Sequence, residues 1–342
     1  MAADPRLEEL AAWLGATLGP GPHDLRPASV DASFRRYFRL EHAGRSVVVM
    51  DAPPPRETLV PFLKVARLLD EAGLKPPAIL ASDEDRGFAL LEDLGMVHYL
   101  KCLQEGTDPD LLYRPAMAAL VTMQAGIDGV RAGLPAYSSD LLATELGLFE
   151  EWFLVRHLGL TPTAGERAVL ASTCTLLLDV ATAQRQVFVH RDYHSRNLMP
   201  APDQPAVIDF QDAVVGPQAY DLVSLLKDCY VRWPRERVLG WLDHYLALAR
   251  AAGLAPAGGR EDFVRDFDLT GLQRHLKVLG IFARLWHRDA KPGYLQDLPR
   301  VLDYAVETAQ AEPTLQAFHA FLVGRVVPAF AAVSRAAPGA SP

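Results

Sequence analysis

Two short apolar segments on either side of a polar, charged run constrain the fold of this chain more than any other feature. The first leads into the run in residues 187–199, VFVHRDYHSRNLM, and the second opens residues 206–212, AVIDFQD. Each apolar stretch is too short to form a helix of its own, and its valine, isoleucine and phenylalanine residues are typical of buried strands. Asp192 and Asp209 each follow such a strand, so we expect rigid backbone to hold both carboxylates in place.

The composition predicts a folded, enzyme-sized protein. Half of the 342 residues are apolar, which is enough for one large domain or two lobes with a substantial core. The formal net charge of −8 argues against a broad nucleic-acid surface, which needs many basic side chains. The apolar runs fall short of the roughly 18 residues of a membrane span, and the charged N-terminus lacks a signal-peptide pattern. We therefore expect a cytoplasmic protein that binds neither nucleic acid nor membranes.

The N-terminal region carries strand signals. Residues 33–40, SFRRYFRL, and 46–50, SVVVM, predict a β-hairpin because the turn-rich EHAGR separates them. The prolines of DAPPP then end the strand, because proline cannot donate a backbone hydrogen bond to a neighbouring strand. Residues 59–73 carry apolar side chains at helical spacing and predict a helix. The segments PAIL and GFALLE predict two more short strands. We therefore expect a small antiparallel sheet with one helix over residues 1–94.

Helical periodicity dominates from Met96 onward. This helical periodicity and the N-terminal sheet together predict an α+β chain. It has a small N-terminal lobe over residues 1–94 and a larger, mainly helical lobe over residues 95–334. Residues 335–342 are predicted to be a frayed tail. The predicted helices of the second lobe cover residues 109–128, 140–158, 163–184, 217–231, 234–252, 260–288 and 312–333.

Asp192, Asn197 and Asp209 are spaced like the reactive groups of a kinase. HRDYHSRN matches the catalytic-loop pattern H-R-D-x-x-x-x-N, and IDFQ stands where D-F-G is expected. Phosphoryl transfer passes through a loose, highly charged transition state, so the acceptor must be positioned and the phosphates neutralised. Asp192 can orient and deprotonate an attacking hydroxyl, and Asn197 and Asp209 supply the oxygen ligands that Mg²⁺ prefers. The sequence therefore predicts a phosphotransferase that uses ATP and Mg²⁺.

The same residues have other interpretations. An HRD tripeptide alone is a weak signal, because any exposed loop can carry one. His190 and His194 have the i, i+4 spacing of a zinc-binding helix, although their neighbours predict strand and loop. A pseudokinase that only binds nucleotide is a further alternative, but the retention of Asp192, Asn197 and Asp209 favours an enzyme.

The stretch VHRDYHSRNLM…AVIDFQDAVVGPQAYDLVSLLKD resembles the aminoglycoside phosphotransferase and choline kinase superfamily, which carries H-x-D-x-H-x-x-N and I-D-F/W blocks. DASFRRYFRL, VVVMDAPPP, LLEDLG, IDFQDAVVGP and RHLKVLGIFARL more narrowly resemble the bacterial anomeric kinases of N-acetylmuramate and N-acetylglucosamine. The resemblance implies a bilobal, protein-kinase-like fold and ATP-dependent phosphorylation of an amino sugar in peptidoglycan recycling. It also implies that Asp221 anchors the catalytic loop, unless it is an ordinary acid at a helix N-terminus. The identity of the substrate stays open, because it can instead be another sugar, an amino alcohol or an aminoglycoside.

The predicted nucleotide site departs from the kinase pattern. Met50 stands where a phosphate-binding lysine is expected, and the hairpin lacks the glycines of a phosphate flap. We expect Arg35 or Arg36 to supply the missing charge, because a guanidinium can bind phosphate bidentately. The alternative is that these arginines coat a solvated sheet face. The residues predicted to bind the nucleotide are Ser33, Arg35, Arg36, Glu92, Asp93 and Leu94, of which the last three lie in a hinge-like segment.

The acceptor site is predicted from charge. Residues 270–300 carry six Lys and Arg side chains against two Asp, which argues against a polycationic antibiotic as the substrate. Helical spacing places Arg274 and Lys277 on one face, where they would suit the carboxylate of N-acetylmuramate; a solvated face without a ligand is the alternative. Asp212 can bond a sugar hydroxyl or Mg²⁺, or cap a turn. The residues predicted to bind the substrate are Asp212, His194, Arg196, Arg274 and Lys277. The enzyme is predicted to be a monomer.

Overall fold

The computed structural model describes residues 4–21, 23–29 and 34–336. These residues form two compact units. The first unit comprises the described residues up to Gly106 together with Arg196–Asp212, and the second comprises Thr107–Ser195 and the described residues from Ala213 onward. The proposed lobe boundary after Leu94 stays a prediction.

The first unit is built on a five-stranded antiparallel sheet in the order β1-β2-β3-β5-β4. β2 and β3 form the predicted hairpin, and their two-residue turn places Ala43 and Gly44 at positive φ, as the tight turns of twisted hairpins require. The strands are β1 Arg26–Ser29, β2 Arg36–His42, β3 Arg45–Asp51, β4 Ile79–Asp83 and β5 Phe88–Glu92.

A helix that the sequence analysis did not predict, α1 (Pro5–Leu18), shares a core with this sheet. The Asp4 side chain caps the helix by accepting the Arg6 N–H at 3.0 Å, and a proline at the first helical position has the required φ. Its buried face consists of only three residues among many charged and small ones, which weakens the periodic signal. These three residues are Leu10, Trp13 and Leu14, and they join Phe38, Leu40, Val47, Val49, Phe88 and Leu90 of the sheet.

The segment Arg196–Asp212 completes the first unit although it lies far along the chain. It forms a small hairpin of β7 (Leu198–Met199) and β8 (Ala206–Val207). Ala206 bridges to Lys75, and the Phe210 ring stacks on Phe62 with 4.9 Å between ring centroids. The same unit contains α2 (Val60–Glu71) and α3 (Tyr99–Gln104).

The second unit is mainly helical and contains one antiparallel pair, β6 (Gln186–Val189) with β9 (Val214–Pro217), among its described residues. β6 leads directly into His190 and Asp192, as the sequence predicts. The helices are α4 Pro109–Gly126, α5 Ser139–Leu148, a π-helical segment Phe149–His157, α6 Ala164–Ala183, α7 Tyr220–Leu226, α8 Arg235–Ala251, α9 Arg260–His287, a 3₁₀ segment Pro292–Asp297, α10 Leu298–Ala311, a 3₁₀ segment Pro313–Leu315, α11 Gln316–Phe321, a π-helical segment Leu322–Val326 and α12 Val327–Ala336.

Helix α9 lies at the centre of this unit and packs against α5, α6, α7 and α10. A Cβ at Gly280 would overlap the backbone of Leu148, so the glycine permits the close approach of α9 to the end of α5. Arg274 and Lys277 are buried, with exposed fractions of 2% and 7%. The alternative of a solvated face is therefore wrong for these two residues, because neighbouring elements cover both sides of the helix.

The predicted helices agree with the structure except in three places. The helix over 140–158 changes to π-helical geometry at Phe149, and the helix over 217–231 is shorter because β9 and a loop take its ends. The helix over 312–333 is divided into shorter segments. α10 was not predicted although it carries a clear buried stripe: Leu298, Val301, Leu302, Ala305 and Ala309.

The segment Pro313–Arg335 is long and apolar enough to meet the length and composition criteria for a membrane-spanning helix. The sequence analysis predicted no such segment. Part of its apolar surface belongs to the core of the second unit, through Leu315, Phe318, Phe321, Leu322 and Val326.

Candidate active site

The two predicted metal-binding residues, Asn197 and Asp209, lie side by side in the first unit. The β7–β8 hairpin aligns them, since Ile208 N–H donates to the Asn197 carbonyl oxygen at 3.1 Å. Asn197 Nδ2 donates to Asp209 Oδ2 at 3.3 Å, and Gln211 Nε2 donates to Asp209 Oδ1 at 2.8 Å. Asp209 has a φ of 64°, and non-glycine residues in this left-handed region often lie at functional sites.

The oxygen atoms of these side chains fit Mg²⁺. They include one amide oxygen and two carboxylate oxygens, which are the hard ligands that this ion prefers. Among residues 4–21, 23–29 and 34–336, no group of three or more His, Cys, Asp or Glu side chains is placed to hold a metal ion. Mg²⁺ commonly takes one or two carboxylates from the protein and its other ligands from phosphate and water. Such a donor set suits an ion that is bound with a nucleotide.

A cavity of about 690 Å³ in the first unit adjoins these residues. Its volume is typical of small-molecule sites, and apolar side chains from strands and hairpin contribute to its walls. Three of the predicted nucleotide-binding residues line it, and so does Arg196, which was predicted to bind the acceptor. The lining includes Tyr37, Val48, Leu91, Glu92, Asp93, Leu94, Met96, Arg196, Asn197, Met199, Ile208 and Asp209.

The hinge-like segment is held by the Asp93 side chain. Arg39 donates to both oxygens of Asp93, at 2.7 and 3.0 Å, and Ser46 and the Gly95 N–H donate at 2.6 and 2.9 Å. These bonds, above all that from Arg39, lower the pKa of Asp93 to about 2 although partial burial opposes the shift. The Asp93 carboxylate is thus occupied by the protein, and the role of the segment in binding the base stays a prediction.

The two candidate phosphate-binding arginines have different surroundings. Arg36 donates to Asp51 at 2.6 and 2.9 Å and pairs with Asp4. Arg35 pairs with Glu57 at 3.2 Å, and the charges of Tyr37, Glu57 and Asp209 raise its pKa although burial opposes the shift. Arg35 therefore shares an electrostatic environment with Asp209, the predicted metal-binding carboxylate. Ser33 lies outside the described residues.

We expect Arg35→Ala to raise the KM for ATP about tenfold. A charge-assisted hydrogen bond contributes roughly 1.5–3 kcal/mol, and about 1.4 kcal/mol corresponds to a factor of ten. The matched variant Arg36→Ala should leave this KM unchanged and lower the melting temperature, because it loses the bonds to Asp4 and Asp51. Steady-state rates at varied ATP and thermal melts measure both effects. Equal changes of KM in the two variants would contradict the assignment.

The predicted catalytic residue, Asp192, lies in the second unit beside a cation of α9. Arg274 Nη2 is 3.9 Å from Asp192 Oδ1, and the Asp192 side chain is 46% exposed. The partial loss of hydration would by itself raise the pKa of Asp192, but the charges of Lys277, His194 and Arg274 outweigh it and lower the pKa to about 2. Asp192 is therefore ionised at neutral pH and suited to orient a hydroxyl group.

Asp221 holds the backbone on the N-terminal side of Asp192, in agreement with the role implied by the resemblance. Its Oδ2 accepts the His190 N–H at 2.6 Å, and its Oδ1 accepts the Arg191 N–H at 3.0 Å. Burial raises the pKa of Asp221 to about 7, and the two N–H bonds only partly offset that effect. The charge of this anchor therefore titrates near neutral pH.

The predicted substrate-binding residues divide between the two units. His194 is buried beside Tyr230, with 5.4 Å between ring centroids, and Lys277 Nζ is 2.8 Å from Glu145 Oε1. Together with Arg274, both belong to the unit that contains Asp192. Arg196 and the exposed Asp212 belong instead to the unit that contains Asp209.

Sequence reasoning missed two buried acids that hold the catalytic loop. Asp228 accepts both the backbone N–H of Ser195, at 3.0 Å, and its hydroxyl, at 2.5 Å. Glu145 lies in α5 and pairs with Arg191. For Glu145 the signal is an acidic residue within an otherwise apolar helical stripe, since buried acids are rare unless paired.

A second cavity, of about 840 Å³, lies in the second unit between α8, α9 and α10. None of the predicted site residues lines it. Its charged residues pair with one another, as Arg235 does with Asp268 at 2.6 Å and Arg265 with Glu312 at 3.0 Å.

Residues 24–261 match the family model described as "Phosphotransferase enzyme family". The chain belongs to this family. Curated relatives extend the likeness to both units. One is the N-acetylmuramate/N-acetylglucosamine kinase of Pseudomonas aeruginosa, which is 49% identical over 322 residues that cover 91% of this chain and 94% of that protein. Another, of the same name from Neisseria meningitidis, is 42% identical over 320 residues that cover 92% and 94%.

Solved structures of phosphotransferases share the fold. Choline kinase LicA from Streptococcus pneumoniae superimposes with a TM-score of 0.63 over 89% of this chain and 100% of that chain, at 12% identity. The ADP-bound aminoglycoside phosphotransferase APH(2'')-Ib gives a TM-score of 0.58 over 88% and 98%, at 17% identity. The predicted α+β, protein-kinase-like fold is thereby confirmed.

Proposed function

We propose that this phosphotransferase is an ATP- and Mg²⁺-dependent kinase that phosphorylates the anomeric hydroxyl of N-acetylmuramate or N-acetylglucosamine. The observation that carries the proposal is the 49% identity, over 91% of the chain, to a kinase named for these two sugars. The residue types of Asp192, Asn197 and Asp209 support it, because phosphoryl transfer requires a carboxylate for the acceptor and oxygen ligands for the metal ion.

In the proposed reaction the anomeric oxygen forms a bond to the γ-phosphorus of ATP, and the bond from that phosphorus to the β,γ-bridging oxygen breaks. ADP leaves with the electron pair of that bond. The Asp192 carboxylate accepts a hydrogen bond from the hydroxyl and takes its proton as the new bond forms. Because the charges of nearby cations lower the pKa of Asp192, this carboxylate is ionised when it orients the hydroxyl group.

The first unit supplies the nucleotide side of the proposal. The cavity beside Leu91 and Ile208 would hold the base, and Asn197 and Asp209 would hold Mg²⁺. The ion neutralises charge that develops on the phosphates. Arg35 takes the place of the lysine that is missing at Met50.

The second unit supplies the acceptor side. Arg274 is buried 3.9 Å from Asp192, where its positive charge suits an anionic group such as the carboxylate of N-acetylmuramate. Two buried cations near Asp192, Arg274 and Lys277, are unfavourable for an aminoglycoside, which is itself polycationic. His194, Lys277, Arg196 and Asp212 stay predictions as substrate-binding residues. So do the cytoplasmic location, the monomeric state and the role in peptidoglycan recycling.

The test is an ADP-release assay with Mg·ATP and a panel of acceptors. It contains N-acetylmuramate, N-acetylglucosamine, their 1-O-methyl glycosides and kanamycin. We expect turnover of the two free sugars, no turnover of the methyl glycosides or kanamycin, and a sugar 1-phosphate product identified by ³¹P NMR. Turnover of a methyl glycoside would contradict the anomeric assignment, and turnover of kanamycin alone would contradict the substrate class.

A further inference from the structure

The residue before Asp192 is held through both its backbone and its side chain. Arg191 has a φ of 78°, in the left-handed region that non-glycine residues seldom occupy. Asp221 accepts its backbone N–H, and Glu145 Oε1 accepts its guanidinium Nη2. The guanidinium carbon also lies 5.3 Å from the centroid of the Tyr137 ring. A sparsely populated backbone conformation persists where the surroundings over-determine it, as they do here.

Glu145 links this arginine to the rest of the unit. It is a buried residue of α5, with an exposed fraction of 6%, and its Oε1 also accepts Lys277 Nζ at 2.8 Å. The Tyr137 hydroxyl donates to its other oxygen. Burial alone would raise the pKa of Glu145, but the charges of Lys277 and Arg191 outweigh it, so the group is a carboxylate. One buried anion thus holds two cations, one on the catalytic loop and one on α9.

We propose that Arg191 is a positioning residue for Asp192 and that Glu145 holds Arg191 in place. The two residues share a planar peptide unit, so a rotation about the backbone bonds of Arg191 moves the Asp192 carboxylate with it. Neither Arg191 nor Glu145 is assigned a contact with the substrate. The inference rests on the proposed function, because its effect is on the rate of phosphoryl transfer.

The decisive variant is Arg191→Asn. Asparagine tolerates the left-handed region better than most residues, so this change removes the bond to Glu145 without adding backbone strain. We expect kcat to fall about 100-fold, the effect of a misplacement of roughly 1 Å, with unchanged KM for ATP and for the sugar. Arg191→Lys keeps a cation for Glu145 and should recover part of the loss.

Glu145→Gln tests the same interaction from its other end. Both changes break the contact between Arg191 and Glu145, and Glu145→Gln also removes the charge that pairs with Lys277, so the double variant with Arg191→Asn should be no slower than Glu145→Gln alone. If Glu145→Gln does not fold, the comparison of Arg191→Asn with Arg191→Lys decides alone.

Arg185→Asn is the matched control, since Arg185 is an exposed arginine just before β6 and should keep the wild-type kcat. Thermal melts establish that each variant is folded. A folded Arg191→Asn variant with the wild-type kcat, or with a change in KM alone, would overturn the inference while the proposed function stands. Absence of turnover by the wild-type protein on every acceptor would overturn the proposed function and this inference together.

Discussion

Asp192→Asn should leave a folded protein whose kcat is lower by about 10²–10⁴, the usual contribution of a positioned acid–base group. The change removes the charge that accepts the hydroxyl proton and keeps nearly the same shape. The cations that surround this carboxylate, including Arg274 at 3.9 Å, would then lack their anionic partner, so binding of an anionic acceptor should be retained. Single-turnover measurement of ADP release, with the KM of both substrates, checks the result.

The control for this variant is Asp179→Asn, on the exposed surface of α6 in the same unit. A substitution at such a site should change stability by only about 0.5 kcal/mol and leave kcat unaltered. An Asp192→Asn variant that is folded and retains more than a tenth of the wild-type kcat would contradict the catalytic assignment.

The second large effect is expected at Asp209, the proposed metal-binding carboxylate of the first unit. Asp209→Asn removes a negative charge that faces the proposed Mg²⁺ and should lower kcat by about 10²–10³, as the loss of one preorganised electrostatic group does. The apparent Mg²⁺ affinity should fall as well, so raising the Mg²⁺ concentration should restore part of the rate. A magnesium titration of initial rates measures both quantities.

Asp203→Asn provides the matched control, because Asp203 is exposed in the connection between β7 and β8 of the same hairpin. It should keep the wild-type rate and magnesium dependence. If Asp209→Asn loses rate with no change in magnesium dependence, Asp209 is not a metal ligand and the assignment fails.

The motif spacing predicted the local placement of Asp192, Asn197 and Asp209. Asp192 follows β6, and Asn197 and Asp209 are neighbours, because strand, loop and hairpin patterns are local properties of the chain. Four strands of the sheet in the first unit were predictable for the same reason, whereas β1 was not predicted. α1 was missed because its buried face has only three residues, and α10 was missed although its spacing was regular.

Interactions that join distant parts of the chain could not be predicted. Arg274 and Lys277 look like a solvated face when helical spacing alone is considered, and only the packing of α9 shows that both are buried. The pairing of Arg191 with Glu145 spans 46 residues and depends on how α5 lies beside the catalytic loop. Strand alternation places Arg35 and Arg36 on opposite faces, but no local pattern shows that Arg35 lies near the charge of Asp209 and that Arg36 binds Asp4 and Asp51.

The hairpin that carries Asn197 and Asp209 has a consequence for how the protein is made. Its strand β8 bridges to Lys75, a partner 131 positions earlier in the chain. A ribosome adds about 5–20 residues per second, so several seconds pass between the emergence of the first partner and that of the second. The nucleotide cavity is therefore finished late, and a fragment that stops at Gly106 lacks both proposed magnesium ligands however well its sheet has formed.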